Sequence, residues 1–365
     1  MKYSLSSITA AILVLLTLAQ SAQAAYHFSN FRGRPPIHVY GGTHATPVGI
    51  TPAEIKAVYH LPATGGKGTV VIIGAYDDVS IEQDLAVFSK QFNLSACTVK
   101  NGCLEKHLMK SGIKSNSGWA LETTLDVEWA HAIAPQAKIL LVEAATPSGA
   151  NLLKAVDYAA GRADVVAISM SWGGAEFPEE TSLDDHFVSK AGAVFFASSG
   201  DTGAGASWPA ASPQVIGVGG TTVTLSGSGS FVRETAWSGS GGGVSAYEKQ
   251  PSYQSAYSIS KSGGMRAIPD VAYNADPKTG FPIVHLGVWR TVGGTSAGAP
   301  QWAAIAALGK GVELKRLYTD KASDNTGDYF RDIISGSNGD CAFYCNARRR
   351  YDYVTGLGSP LTVDF

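Results

Sequence analysis

The chain has 365 residues, of which 42 are glycine and 16% are charged, and its formal net charge is −2. This length allows one large domain or two ordinary ones. A near-neutral chain has no basic surface of the kind that binds nucleic acids or membrane surfaces. Low charge and abundant glycine are typical of an exported protein that is rich in turns.

The first 24 residues have the features of a signal peptide. Lys2 gives a basic start, residues Ile8–Leu18 are almost wholly apolar, and Ala22-Gln23-Ala24 is a small-x-small cleavage site. A membrane anchor is the alternative, but the apolar run is about half of the roughly 20 residues that a spanning helix needs. We therefore predict cleavage after Ala24, secretion, and no membrane anchor.

After the signal peptide, residues 25–50 are predicted to form an irregular leader or arm that contains Pro35-Pro36 and Gly41-Gly42. Thr51 and Glu54 then form a capping signal for a short helix. The predicted strands are Thr69–Ala75, Lys138–Ala144, Asp164–Ser169 and Ala193–Ser198. The predicted helices are Ile81–Phe92, Trp119–Ala134, Asn151–Gly161 and Thr181–Ala191. Residues 221–260 are rich in Gly and Ser and are predicted to form turns and short strands.

This alternation of apolar strands and helices indicates an α/β fold, with a mainly parallel sheet flanked by helices on both faces. In such a sheet ligands bind beyond the carboxyl ends of the strands. The chain has no internal repeat and no long linker. Residues 51–365 are therefore predicted to form one domain.

The four cysteines form two close pairs, Cys97/Cys103 and Cys341/Cys345. Four cysteines allow three connectivities. Local pairing is favoured, because export leads to an oxidising environment and short loops close at little entropic cost. A four-thiolate metal site is the alternative, but it requires tighter Cys-x-x-Cys spacing.

A glycine-rich turn, Gly293–Pro300 (GGTSAGAP), leads into an apolar run and contains the candidate nucleophile Ser296. A serine at the start of a helix has an exposed hydroxyl, and the backbone N–H groups of the turn can bind an oxyanion beside it. A helix cap with flexible glycines is the plainer interpretation. The Gly-rich segment 65–69 is not a nucleotide site, since it lacks the Gly-Lys-Ser/Thr ending and precedes a strand.

A serine nucleophile needs a base, and none of the eight histidines has the His-Gly-Thr context of subtilisins. Glu122 and Asp126 lie four residues apart on one face of a predicted helix, where a shared proton would relieve their repulsion. A solvated acidic face is the alternative, which fits Glu128 better. Asp201, just after an apolar strand, either forms a turn or faces the cleft.

Taken together, these motifs resemble the sedolisin family of serine-carboxyl peptidases. The resemblance covers about residues 50–365 in the family's order. It is carried by the segments GTSAGAP (294–300), ETTLD (122–126), SGDTG (199–203), SMSWGG (169–174), WPA (208–210), PDV (269–271), DI (332–333) and TGLGSP (355–360). About 26 residues separate the signal site from this pattern, so the chain is expected to be a short member without the usual long pro-domain.

The resemblance implies a subtilisin-like fold and a role for each acid. Ser296 would be the nucleophile, Glu122 the general base and Asp126 its support, while Asp201 would supply an oxyanion-hole proton. A glutamate base suits acid pH, because its ordinary pKa is about 4.3. The segment Ser171-Trp172-Gly173 would bind an extended peptide as an added strand.

The resemblance also implies one structural Ca²⁺. Its ligands would be the carboxylates of Asp332 and Asp352 and the main-chain carbonyls of Ile333, Arg348 and Arg350. Calcium takes six to eight oxygens of both kinds. A basic surface loop without metal is the alternative.

We therefore expect a secreted, acid-acting peptidase that is a monomer, has protein or peptide substrates and has no nucleic-acid partner. An endopeptidase is favoured, and a tripeptidyl-peptidase is the alternative. Three alternatives remain at this point. The first is a catalytically inactive relative that acts as a secreted binding protein, the second is an ordinary Ser/His/Asp hydrolase, and the third is a secreted adhesion module.

Overall fold

A computed structural model describes residues 27–309, 311–321 and 329–365. The predicted signal peptide lies outside these residues. Within the described ranges, the structure has no helix with the length and apolarity needed to cross a bilayer.

Eight strands form the central sheet. Their order across it is β10-β9-β7-β5-β2-β4-β3, with β13 also pairing with β9. Every pairing is parallel except that between β9 and β10. The strands of the chain are β1 (His38–His44), β2 (Thr69–Ala75), β3 (Leu104–Leu108), β4 (Lys138–Ala144), β5 (Val165–Met170), β6 (Gly174–Ala175), β7 (Val194–Ser198), β8 (Ser207–Trp208), β9 (Val215–Leu225), β10 (Phe231–Ala236), β11 (Gly243–Lys249), β12 (Met265–Ile268), β13 (Val271–Asn274), β14 (Phe281–His285), β15 (Val288–Gly293), β16 (Phe330–Arg331) and β17 (Ser359–Pro360).

Helices cover both faces of this sheet. In β2, Val70 and Ile72 pack into one hydrophobic cluster with the helices Ser117–Ile133 and Gly298–Leu308, while Val71 and Ile73 pack into another with the helix Gly149–Ala160. Because successive side chains of a strand point to opposite faces, a strand buried on both sides is apolar throughout. The predicted fold class is confirmed.

The remaining α-helices are Pro52–Val58, Ile81–Gln91, Ser252–Tyr257 and Leu314–Arg316. The 3₁₀ helices are Phe28–Asn30, Glu180–Phe187, Pro277–Thr279, Thr295–Ala297 and Ala342–Tyr344, and Leu317–Lys321 is a π-helical turn.

The arm does contain regular structure, contrary to the prediction. Its strand β1 pairs with β15 in a separate antiparallel sheet of order β1-β15-β14. This pairing joins residues more than 240 positions apart, so local composition gives no sign of it. The sheet matters for the site because β15 ends at Gly293, directly before the turn that contains Ser296.

Two further segments differ from the predictions. The helix expected at Thr181–Ala191 is a 3₁₀ helix over Glu180–Phe187. In the Gly/Ser-rich stretch, residues 221–225 complete the long strand β9, β10 and β11 follow, and the helix Ser252–Tyr257 was not predicted. Both stretches lack the apolar periodicity that would identify their elements.

Local covalent and capping predictions are confirmed. The disulfides are Cys97–Cys103 and Cys341–Cys345, and no cysteine is free. Thr51 and Glu54 form a reciprocal capping box at the helix Pro52–Val58. The alternative interpretation of the four cysteines as a four-thiolate metal site is therefore wrong.

Candidate active site

The candidate nucleophile lies in a tight turn between β15 and the helix Gly298–Leu308. Ser296 is fully buried within the 3₁₀ turn Thr295–Ala297. Gly294 before it has φ 126°, and a methyl group there would lie 2.0 Å from the carbonyl oxygen of Pro36 and 2.5 Å from Asp201 Oδ2. The turn therefore requires glycine, both for its backbone conformation and for the close approach of another chain segment.

The paired acids reach this serine from the helix Ser117–Ile133. The Ser296 hydroxyl is 3.1 Å from Glu122 Oε2, and the Ser171 hydroxyl donates to Asp126 Oδ1 at 2.7 Å. Both carboxyl groups are buried. Burial raises the pKa of each carboxyl well above its usual range, and the charge of Asp126 raises the pKa of Glu122 further. The pair therefore retains a proton where exposed carboxylates would have lost theirs.

Asp201 lies on the opposite side of the serine turn, just beyond the carboxyl end of β7. Its Oδ1 accepts hydrogen bonds from the backbone N–H and the hydroxyl of Thr295, both at 2.8 Å. Its Oδ2 lies 3.1 Å from His38 Nε2. Burial raises the pKa of Asp201, although His38 and the Thr295 donors oppose the shift.

Glu128 is not on a solvated face, and that prediction was wrong. It is fully buried, and its carboxylate accepts from the backbone N–H of Val284 at 3.0 Å. The helix Ser117–Ile133 is buried along almost all of its length, so its charged residues had no solvent face to occupy. A helix that is enclosed on all sides can contain acids only where each finds a partner.

The predicted substrate segment borders the same cleft. Gly173 exchanges two backbone hydrogen bonds with Arg34 of the arm, at 3.0 and 3.2 Å. Trp172 points away, since its indole is buried and donates to the carbonyl of Ile73. A cavity of about 490 Å³ lies beside this pairing, between residues 34–38 of the arm and the segments 173–175, 198–202 and 205–207.

His38 and Pro36 were not predicted as parts of the site. Neither lies in a recognisable motif, and only the pairing of β1 with β15 brings them to Ser296 and Asp201. In the described part of the chain, no histidine ring forms a hydrogen bond with the Ser296 hydroxyl. The histidine that comes nearest the site contacts Asp201 instead.

The candidate calcium ligands lie together in the C-terminal loops. Asp332 Oδ2 accepts from the backbone N–H of Arg350, and Asp352 Oδ2 accepts from that of Arg348. Among the described residues, the carbonyls of Ile333, Arg348 and Arg350 accept no hydrogen bond. Arg350 has φ 66°, a conformation that favours glycine. The guanidinium groups of Arg348 and Arg350 lie over the rings of Phe343 and Tyr257, although the charges of Arg349 and Arg350 still act on Asp332. Two carboxylates and three carbonyls are oxygen donors of the kind that calcium takes.

Comparisons with known proteins identify relatives of this chain. The sequence profile of the subtilase family matches residues 114–331. Kumamolisin of Bacillus sp. (strain MN-32) is 33% identical over 87% of this chain and 63% of its own length. Sedolisin of Pseudomonas sp. (strain 101) is 28% identical over 86% of this chain and 60% of its own. The chain thus spans less than two thirds of these relatives.

A solved structure gives the same result. Pseudomonas sedolisin, described as a serine-carboxyl proteinase complexed with two molecules of pseudo-iodotyrostatin, superposes with a TM-score of 0.74 and 27% identity. The match covers 87% of this chain and 96% of that one. The sequence profile, the relatives and the fold together show that this chain belongs to the subtilase family, and within it to the sedolisins.

Proposed function

We propose that this chain is a serine-carboxyl peptidase that cleaves internal peptide bonds in acid. The observation that carries the proposal is the contact between the Ser296 hydroxyl and Glu122, with Asp126 behind the base and Asp201 across the turn. No ordinary helix cap requires three buried carboxyl groups around one serine. The absence of a histidine from this contact within the described residues disfavours the Ser/His/Asp alternative.

Each group has a defined role in the reaction. Glu122 accepts the hydroxyl proton as Ser296 Oγ attacks the carbonyl carbon, and the developing oxyanion receives hydrogen bonds from the Ser296 N–H and protonated Asp201. Glu122 then protonates the leaving amine, so the peptide bond breaks and an ester remains. Water, deprotonated by Glu122, then attacks the ester, and Glu122 returns the proton to Ser296 Oγ as the ester C–O bond breaks and the acid product leaves. Asp126 holds the shared proton and orients Glu122.

Export of the enzyme is part of the same proposal. Two disulfides are typical of proteins that fold in an oxidising compartment, which supports secretion. We expect a monomer that acts on unfolded proteins or peptides, because the backbone of Gly173 at the cleft edge pairs with an extended segment in the way that it would pair with an extended substrate.

The first test is the pH dependence of protein digestion. We expect cleavage of a denatured protein to be fastest at roughly pH 3–5, where Glu122 and Asp126 share one proton and Asp201 remains protonated. Because burial raises the pKa of Asp201, activity should fall as pH rises through that pKa, when the oxyanion loses its donor. Products are identified by mass. A maximum at pH 7–8 would favour a histidine base, and no cleavage at any pH would favour a binding protein.

The role of Asp201 can be tested with two substitutions. Asp201→Ala removes an oxyanion donor, and we expect kcat to fall by about 10²–10³-fold. Asp201→Asn is the matched variant. The Thr295 donors should hold the amide oxygen at the Oδ1 position, so the amide nitrogen takes the place of Oδ2 and donates at every pH. Its activity should therefore decline less steeply with rising pH, and an unchanged kcat in Asp201→Ala would refute the role.

Calcium would be held by Asp332, Asp352 and the carbonyls of Ile333, Arg348 and Arg350, where it would tie two loops together. A ligand at 100 times its Kd stabilises the folded state by about 2.7 kcal/mol. Chelation should therefore lower the melting temperature of the wild type and have little effect on Asp332→Asn. No shift in the wild type, together with no calcium in metal analysis of the purified protein, would exclude the site.

A further inference from the structure

A buried histidine lies beside the disulfide Cys97–Cys103. His131, on the helix Ser117–Ile133, is fully buried, and Cys97 is almost as inaccessible. A ring nitrogen of His131 and the sulfur atoms of Cys97 and Cys103 all lie within 4.8 Å of one another. The three side chains therefore form a compact set of two sulfur donors and one nitrogen donor.

The hydrogen bond of His131 determines which of its ring nitrogens can bind a metal. Nε2 lies 2.9 Å from the carbonyl oxygen of Ser95. Because a carbonyl only accepts hydrogen bonds, Nε2 carries the hydrogen, and the neutral ring then has its lone pair on Nδ1. Nδ1 is buried and has no hydrogen-bond partner. A metal-binding histidine usually donates its other N–H in this way, which fixes the tautomer and orients the ring.

The loop that contains the two cysteines is held in place by bonds other than the disulfide. Asn101 Oδ1 accepts from the backbone N–H groups of Thr98 and Cys103, at 3.1 and 3.0 Å. Its Nδ2 donates to the carbonyl of Ala96 at 2.8 Å. The carbonyl of Cys103 accepts from the Ile139 N–H of β4 at 2.7 Å. The two cysteines should therefore stay in place when their sulfur atoms are no longer bonded.

The spacing of the cysteines suits a tetrahedral metal ion. Zinc binds thiolates at about 2.3 Å, so two sulfur ligands of one tetrahedral ion lie roughly 3.8 Å apart. The Cα atoms of Cys97 and Cys103 are 4.9 Å apart, and rotation of the two side chains allows that separation. A cavity of about 240 Å³ borders the partly exposed Cys103, between residues 95–96, 101–103 and 135–138. It gives a reductant access and leaves room for water as a fourth ligand.

We propose that Cys97, Cys103 and His131 bind one zinc ion when the disulfide is reduced. A dithiol gives two electrons and two hydrogens to the disulfide and becomes a disulfide itself, which leaves two protein thiols. Zinc then binds both sulfur atoms and the imidazole, and two protons pass to the solvent. Thiolate and imidazole donors suit zinc, whereas calcium and magnesium take oxygen donors. The two thiolates neutralise the ion, which limits its repulsion with Lys56, whose charge acts on His131 through space.

Zinc would connect parts of the chain that the disulfide does not connect. The disulfide joins two residues only six positions apart. The metal would also tie their loop to the helix Ser117–Ile133, which carries Glu122 and Asp126. Because the ligands come together only in the folded chain, binding of the ion stabilises the folded state. The site would thus replace a local cross-link by a longer one where a reductant and zinc occur together.

The experiment compares zinc binding by the full chain before and after reduction, at neutral pH and with calcium present throughout. A phosphine is the reductant, because it becomes a phosphine oxide with oxygen from water and does not chelate zinc as a dithiol does. The reduced chain should bind one zinc ion more than the oxidised chain and should melt at a higher temperature with zinc than without it. X-ray absorption at the zinc edge should show two sulfur ligands and an imidazole.

Two variants identify the ligands. His131→Gln retains an N–H for the Ser95 carbonyl but has no imidazole lone pair. Since loss of a partner behind a metal ligand already costs 10–100-fold in affinity, loss of the ligand itself should cost more than about 100-fold. Cys341→Ser/Cys345→Ser is the matched control. It leaves the first pair as the only source of thiols, and its affinity for zinc after reduction should equal that of the wild type.

The inference does not depend on the proposed function, and four results would overturn it. The first is equal affinity for zinc in the reduced wild type and His131→Gln, and the second is equal binding before and after reduction. The third is a zinc-edge spectrum without imidazole, which decides the case even where His131→Gln does not fold. If reduction alone unfolds the chain, zinc should restore the near-ultraviolet circular dichroism of the wild type, and failure to do so is the fourth.

Discussion

Ser296→Ala and Glu122→Gln should each lower kcat for an added peptide at pH 4 by about 10⁴-fold or more, which is the order of loss when a nucleophile or its oriented base is disabled. Alanine removes the attacking oxygen. Glutamine keeps the shape of Glu122 and can still accept the Ser296 hydrogen bond at 3.1 Å, but its amide oxygen is far too weak a base to take the proton. Burst and steady-state rates on a chromogenic peptide measure the effect.

Glu128→Gln is the matched control for the base. Glu128 lies on the same helix and is equally buried, but its partner is the Val284 N–H rather than Ser296. Its loss should leave kcat within a few-fold of wild type. The double variant Ser296→Ala/Glu122→Gln should be no slower than the worse single variant, since the two residues act in one step. Near-normal turnover in Glu122→Gln would show that a group other than Glu122 is the base.

The central sheet could be predicted from the sequence because each buried strand is recognisable from the composition of its own residues. Strands β2 and β4 have the predicted bounds, Thr69–Ala75 and Lys138–Ala144. A parallel strand that is buried on both faces is largely apolar, so its bounds are visible as changes in composition. The strand β1 has the opposite character: its residues are mostly exposed and belong to no periodic pattern, and only the distant β15 defines it.

Some parts of the candidate site could likewise be predicted from local sequence, and others depend on contacts between distant residues. The spacing of Glu122 and Asp126 on one helix face is a local property, and it identified both residues. Their distance to Ser296 is not local, because 174 positions separate Glu122 from the serine, and the resemblance to a family supplied that connection before the fold did. Neither local spacing nor the family resemblance indicated the contact of His38 with Asp201. It depends on the path of the arm through the cleft, which no motif encodes.

Asp270→Asn should destabilise the folded protein by about 3–5 kcal/mol, the usual loss when one partner of a buried ion pair is removed. Asp270 and Arg266 are both fully buried and form a bidentate pair with distances of 2.8 and 2.6 Å. The Gly217 N–H and the Tyr318 hydroxyl also donate to this carboxylate. Asparagine cannot balance the guanidinium charge and turns one acceptor into a donor. Urea unfolding at constant pH measures the change in the free energy of unfolding.

A surface ion pair provides the control for this prediction. Glu105 accepts from Arg162 at 2.7 Å, but its side chain is 49% exposed, so Glu105→Gln should cost less than about 1 kcal/mol. The double variant Arg266→Met/Asp270→Leu removes both charges together and should be more stable than Asp270→Asn, because no unpaired charge remains buried. Equal small losses in Asp270→Asn and Glu105→Gln would mean that water reaches Arg266 once its partner is gone. The cost would then come from hydrogen bonds alone, and the link that Asp270 makes between β9 and the strand β13 that follows it would be far weaker than its burial indicates.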